Sequence, residues 1–232
     1  MPYPFAHPAA VLPLARPMGR FAVPSALAIG SMLPDLWYFV PLVERSDSHS
    51  VAALFWFCVP AGLIAYALFH LALKQPLIAL LSPRLGSFTC AGLPPRPWYA
   101  VVASLLMGSI THIVWDDLTH SDSHRWLQHA STLVGSVILG WWLWRKLRRA
   151  PIAAQAPRLS RFHRACVIFG LLGAMLISAL WSAETLWSAN IRLAFDYSAL
   201  RHLLRSAGIG ALEGLGAAVL VYCLLFQRKI LQ

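Results

Sequence analysis

Long apolar stretches, separated by short polar or proline-rich connections, make up most of the chain. A helix needs about twenty apolar residues to cross a bilayer, and a shorter apolar arm at 5–17 cannot cross alone. The pattern predicts an all-α fold: a polytopic membrane helical bundle of about six transmembrane helices, preceded by this short N-terminal half-helix. The predicted spans are 22–41, 51–73, 98–118, 131–147, 162–183 and 206–226.

The composition agrees with a membrane protein. Hydrophobic residues make up 58% of the 232 positions and charged residues only 12%, about half the charged fraction of an average soluble protein. There is no internal repeat and no low-complexity tract. The sequence therefore predicts a single membrane-embedded helical domain over 1–232, with its polar chemistry in 1–130 and further helices in 131–232.

Lysine and arginine predict the orientation in the membrane. The connection 145–164 holds seven basic residues and no acidic one, which places it in the cytoplasm. The other connections then alternate, so that 14 of the 19 basic residues and the C-terminus lie on the cytoplasmic side. A cytoplasmic face that meets anionic lipid explains the net charge of +10, and no nucleic acid is needed as a partner. The four cysteines are isolated, which argues against a disulfide framework or a CxxC metal site.

The most polar stretch, GSITHIVWDDLTHSDSH at 108–124, follows about ten almost wholly apolar residues and contains three histidines and three aspartates. His112, Asp116 and His120 are spaced i, i+4 and i+8, so they lie on one face of a helix that continues one turn further. A buried carboxylate in lipid is costly and indicates function. Asp117 points about 100° away from Asp116 and is expected to face water.

Other polar residues are expected at the same depth as this face. At 1.5 Å per residue, Asp35 and His112 both lie about 21–22 Å from the cytoplasmic ends of their helices. The N-terminal arm returns His7 towards this level, and His49 begins the next span from the outer side. Imidazole and carboxylate are ligands of divalent metals, so the sequence predicts a metal site. The alternatives are a hydrogen-bonded histidine in a helix contact and an aspartate that caps a helix.

A further ionisable residue, Glu213, lies about a third of the way into the last apolar segment, within GIGALEGLGAA. It is a candidate general base or outer ligand, beside Asp116 as the other candidate catalytic residue. An ion pair with Arg205, two turns earlier, is an equal alternative. Gly210 and Gly214 form a GxxxG pattern that predicts close helix packing.

Four stretches carry a resemblance to a known family: FAHPAAVLPL, AIGSMLPDLWYF, SDSHSV and GSITHIVWDDLTH, in this order. The chain resembles the bacterial membrane family catalogued as domain of unknown function 4184. The pattern is also similar to that of inner-membrane proteins classed as metal-dependent hydrolases and regulated by the SOS repressor. More distantly, it is similar to zinc-dependent phospholipase C and the single-strand-specific nucleases, in which three zinc ions cleave phosphodiesters.

The resemblance implies one zinc site formed by Asp35, His49, His112 and Asp116. It implies His7 as a ligand of a second ion that shares Asp116.

For a third ion, the resemblance implies His120, or else His124 or His129, as the first ligand. The soluble enzymes complete that site with a second HxxxE pair, and no histidine stands four residues before Glu184 or Glu213. One or two divalent ions are therefore expected, zinc first and manganese or iron next.

These expectations combine into a metal-dependent phosphoester hydrolase of the bacterial cytoplasmic membrane. Its site would lie at the outer face, where a phospholipid or lipid-linked phosphate is the expected substrate. The alternative is a non-catalytic metal-binding membrane protein: a transporter, a sensor or a scaffold. The expected cytoplasmic halves of the helices are nearly free of ionisable groups, which counts against a transport path. The oligomeric state stays open.

Overall fold

The computed structural model describes residues 4–38, 44–81, 84, 96–119, 125–151, 158–189 and 197–228. All regular structure in these ranges is helical. The α-helices are α1 (Pro8–Val11), α2 (Pro24–Gly30), α3 (Arg45–Ser48), α4 (Val59–Leu68), α5 (Lys74–Leu81), α6 (Trp98–Thr119), α7 (Arg125–Arg149), α8 (Arg161–Ala189) and α9 (Tyr197–Gln227). Short 3-10 helices occupy Pro4–Ala6, Pro13–Ala15, Gly19–Phe21 and Leu33–Tyr38, and π-helical turns occupy Leu54–Cys58 and Phe69–Leu73.

Four helices within the described ranges are long and apolar enough to cross a membrane. They are Leu54–Leu81, Trp98–Thr119, Arg161–Leu186 and Ala199–Gln227. The prediction of an all-helical membrane protein is thus confirmed at this level, whereas the count of six spans is not confirmed.

The predicted span 22–41 is not one continuous helix in its described part. Val23 has an extended backbone before Pro24 starts α2. The chain then turns at Ser31 and Met32 and continues as the 3-10 helix Leu33–Tyr38. Pro24 and Pro34 cannot donate a backbone hydrogen bond, so they favour short helices in this segment. The 1.5 Å rise assumed in the depth argument therefore does not apply to this segment.

The predicted span 131–147 lies within α7, a helix of 25 residues. Gln128 and His129 occupy its first turns, and four basic residues fall within its last five positions, 145–149. These polar ends leave only a short apolar stretch between them. For this reason α7 is not among the four helices that are long and apolar enough to cross a membrane.

The chain divides into two compact units. The first comprises Met1–Leu71 with Arg84–Ala154, and the second comprises Ala72–Pro83 with Gln155–Gln232. In the first unit, α2 packs against α6 around a buried apolar cluster. The members of that cluster are Val23, Ala26, Leu33, Cys58, Ala100, Val101 and Leu105.

The second unit is built around the pairing of α8 with α9. A Cβ on Gly214 would lie only 2.5 Å from the Cβ of Ser178 and 2.6 Å from the carbonyl oxygen of Ala174. A Cβ on Gly210 would likewise overlap Ser182. The close helix packing predicted from the GxxxG pattern is therefore confirmed, and it joins α9 to α8.

Candidate metal centre

Two glycines allow α2 and α6 to cross with their backbones in contact. A Cβ on Gly30 would overlap the carbonyl oxygen of Leu105, and a Cβ on Gly108 would lie 2.6 Å from the backbone nitrogen of Ser31. Only glycine permits so close an approach of one backbone to another. The crossing brings the end of α2 against the middle of α6.

Serine side chains of α6 hold the crossing in register. Ser104 Oγ donates to the carbonyl oxygen of Phe21 at 2.9 Å and accepts from the backbone N–H of Val23 at 2.9 Å. Ser109 Oγ donates to the carbonyl oxygen of Gly30 at 3.0 Å. These bonds satisfy backbone groups that the break before α2 and the end of α2 would otherwise leave buried without partners.

Four side chains from three parts of the chain converge beside this crossing. Asp35, His49, His112 and Asp116 each offer one ligand atom, and all four atoms lie within 4.8 Å of one another. Nε2 of His49 lies 3.7 Å from Oδ1 of Asp35 and 3.6 Å from Oδ2 of Asp116. Nε2 of His112 lies 3.6 Å and 3.8 Å from the same two oxygens. The structure thus brings together the four residues predicted to form one site.

Backbone carbonyls determine which nitrogen of each imidazole carries the proton. Nδ1 of His112 donates to the carbonyl oxygen of Ser31 at 2.8 Å. Nδ1 of His49 lies 3.2 Å from the carbonyl oxygen of Arg45 and 2.9 Å from Ser48 Oγ. Because Ser48 Oγ donates its own proton to the Arg45 carbonyl at 3.1 Å, Nδ1 of His49 is the donor in this group. Because a carbonyl oxygen only accepts, Nε2 of each neutral ring is left with a lone pair. Both Nε2 atoms are buried and make no hydrogen bond within the described part of the chain.

This arrangement fits a divalent metal ion. In a tetrahedral zinc site with bonds of about 2.0–2.2 Å, the ligand atoms lie about 3.3–3.6 Å apart. The separations of 3.6–3.8 Å between histidine nitrogens and aspartate oxygens are only slightly wider. A hydrogen bond from Nδ1 to a carbonyl oxygen also orients metal-binding histidines in known sites. The ligand set, two nitrogens and two oxygens, suits zinc without excluding manganese or iron.

His7 belongs to the same buried region but not to the group of four ligand atoms. Its ring stacks on the ring of His112, with 3.8 Å between the ring centroids and 22° between the planes. His7 is fully buried there. The His7 ring packs against the face of the His112 ring and so supports its position. A second metal ion bound by His7 stays a prediction.

The sequence analysis gave Arg45 no role in the site. In the structure, its guanidinium donates to Oδ2 of Asp116 at 3.1 Å, and its side chain is 39% exposed. The signal was present in the sequence, because Arg45 stands four residues before His49 and shares a helical turn with it. Arg45 therefore forms the partly exposed edge of a site whose other side chains are largely buried.

The other predicted residues that the structure describes do not join this group. Asp117 is exposed, in agreement with its expected direction, and His129 is exposed on α7. Glu213 belongs to the second unit and is exposed on α9. His120 and His124 lie outside the described residues.

Comparison with known proteins identifies a family for this chain. Neither the curated proteins nor the solved structures contain a match to this chain. A family model described as "Domain of unknown function (DUF4184)" matches residues 1–126 and again 122–224. These two matches cover nearly the whole chain, and the protein belongs to this family.

Proposed function

We propose that this protein binds one divalent metal ion in the membrane and uses it to hydrolyse a phosphoester. The observation that supports the metal is the pair of buried Nε2 atoms of His49 and His112, which lack a hydrogen bond and face two carboxylates. Burying such nitrogens without a partner is unfavourable, and a divalent cation would join them to the two carboxylates. Zinc is the expected ion, with manganese or iron as alternatives.

Charge supports a phosphoester as the substrate. Asp35 and Asp116 together neutralise a divalent ion, so the four-residue site with its ion carries no net charge. Arg45 then adds one positive charge at the exposed edge, 3.1 Å from Asp116. A guanidinium is suited to bind a phosphoryl group through two hydrogen bonds. The edge of the site would therefore attract and orient an anionic phosphoester.

A bound divalent ion supplies an activated water and polarises a phosphoryl oxygen. In the proposal, Asp116 would help to hold the ion. The guanidinium of Arg45 would leave Asp116 and bind the substrate. Because His112 and Asp116 lie on a helix of membrane-spanning length, the proposed substrate is a phospholipid or lipid-linked phosphate. The proposed location is the outer face of the bacterial cytoplasmic membrane.

Activity and metal content test this proposal together. Purified protein is assayed on a phospholipid in mixed micelles and on a soluble phosphodiester, with chelator, and with zinc returned. Asp116→Asn should lose both metal and activity, whereas Asp117→Asn, the exposed neighbour, should keep both. Arg45→Gln should keep the metal and lose activity. Hydrolysis that persists in chelator, or that survives Asp116→Asn, would contradict the proposal.

A non-catalytic metal site is the second candidate, and the number of ligands favours it. Structural zinc sites are closed by four protein ligands, whereas catalytic sites keep one position open. The four residues here would fill a tetrahedral ion. In that case chelation lowers the midpoint of thermal unfolding but no phosphoester is hydrolysed, and Arg45→Gln leaves the thermal midpoint nearly unchanged.

A further inference from the structure

A second polar feature of the first unit is a cavity of about 650 Å³. The last turns of α7 form one side, and the chain after α1 contributes Arg16. The polar and aromatic side chains that line it are Arg16, Trp141, Trp142, Arg145, Lys146 and Arg149. Four of these six side chains are cationic and none of the lining residues is acidic.

No acidic residue of the described ranges neutralises the cations around the cavity. Within the described part of the chain, Arg16, Arg145, Lys146 and Arg149 take part in no ion pair with an acidic residue. Four like charges around one cavity repel each other. A ligand that carries negative charge would relieve this repulsion.

Tryptophan side chains hold part of this charge in place. The guanidinium of Arg145 lies over the ring of Trp141 at 5.3 Å, and the ammonium of Lys146 lies over Trp142 at 5.9 Å. Each pair is four residues apart on α7, so the helix itself sets these contacts. Trp141 is 55% exposed and Trp142 is 37% exposed. The cavity therefore presents apolar ring surface directly beside cationic groups.

We propose that this cavity binds the head group of an anionic phospholipid from the surrounding membrane. The cations would contact the phosphate oxygens, and the exposed tryptophan rings would contact the glycerol and the first methylenes, as tryptophan does at membrane interfaces. Basic pockets on membrane proteins bind head groups with one or two phosphates. A choline head group would bring its own positive charge against four others, so a zwitterionic lipid is disfavoured. This site is separate from the proposed metal centre and does not depend on it.

Native mass spectrometry of the full-length protein in detergent tests this inference. Phosphatidylglycerol, cardiolipin and phosphatidylcholine are added in turn, and the bound fraction is measured for each. The test variant is Arg145→Gln with Arg149→Gln. The control is Arg158→Gln with Arg161→Gln, which removes the same charge from the same predicted cytoplasmic connection at exposed positions outside the cavity.

The test variant should bind the anionic lipids about 25-fold more weakly, since one basic residue near an anionic surface contributes about fivefold. The control should stay within about twofold of the natural protein. Equal losses in the two variants would show a general effect of charge and overturn the site. Equal binding of phosphatidylcholine, or displacement of the lipid by millimolar inorganic phosphate, would overturn the lipid as its ligand. Lys146→Gln gives an independent test, because the loss of this one charge should weaken binding of the anionic lipids about fivefold.

Discussion

Replacement of Asp35 by asparagine should change the thermal stability of the protein in opposite directions with and without metal. The ligand atoms of Asp35 and Asp116 lie no more than 4.8 Å apart. At an effective dielectric constant of about 20, two negative charges at this distance repel by about 3.5 kcal/mol. Arg45, which is paired with Asp116 but partly exposed, offsets some of this. We expect a net repulsion of about 1–3 kcal/mol in the metal-free protein at pH 8, where imidazole is normally neutral.

Asparagine removes this repulsion and breaks no hydrogen bond of Asp35 within the described residues, where its polar contacts are Nε2 of His49 and His112. In excess chelator, Asp35→Asn should therefore unfold several degrees above the natural protein, at about 2–4 °C per kcal/mol. With zinc at about 1,000 times its dissociation constant, the natural protein should gain about 4.1 kcal/mol, more than the repulsion it carries without metal. The Asp35→Asn variant should gain much less stability from zinc, and with zinc it should unfold at a lower temperature than the natural protein.

The assay is a thermal unfolding curve of the purified protein in detergent, recorded with chelator and with added zinc. Asp117→Asn is the control, because it removes one carboxylate at an exposed position directly beside the buried Asp116. Its midpoint should shift by less than about 2 °C in both conditions. A lower midpoint of Asp35→Asn in both conditions, by the same amount, would mean that Asp35 is stabilised by protonated histidines and that the residues do not form a metal site.

Three further predictions follow from the same contacts. Gly108→Ala should force α2 away from α6, lower stability by about 1–3 kcal/mol and reduce the zinc content. Gly140→Ala, whose Cβ would meet nothing within 4 Å, should keep the zinc content and, as a glycine replaced inside a helix, should raise stability by about 0.5–1 kcal/mol; metal analysis and thermal unfolding measure both effects. His7→Ala should keep one zinc ion with weaker affinity, because His7 supports the His112 ring, and a complete loss of zinc in titration calorimetry would instead make it a ligand. Single cysteines at positions 126 and 155, in a protein freed of its own cysteines, test the orientation in intact cells: an impermeant reagent should label 126, and labelling of 155 alone would reverse the predicted topology.

The residues of the candidate metal centre could be predicted from residue types, spacing and the family resemblance. His112 and Asp116 stand one helical turn apart, so their side chains share a face wherever the helix lies. Asp35 and His49 are polar residues beside apolar segments, and a buried carboxylate indicates function in any membrane context. The helical character of the chain and the close packing at the GxxxG pattern follow from equally local rules.

The route by which Asp35 reaches the site depended on the tertiary structure. Local pattern favoured one helix over 22–41, but the backbone turns before Asp35, and the close crossing at Gly30 and Gly108 then determines its position. The ion pair between Arg45 and Asp116 joins residues 71 positions apart. Such contacts depend on how two helix backbones approach each other in space. Hydrophobic periodicity records only which face of a helix is apolar and carries no information about its neighbour.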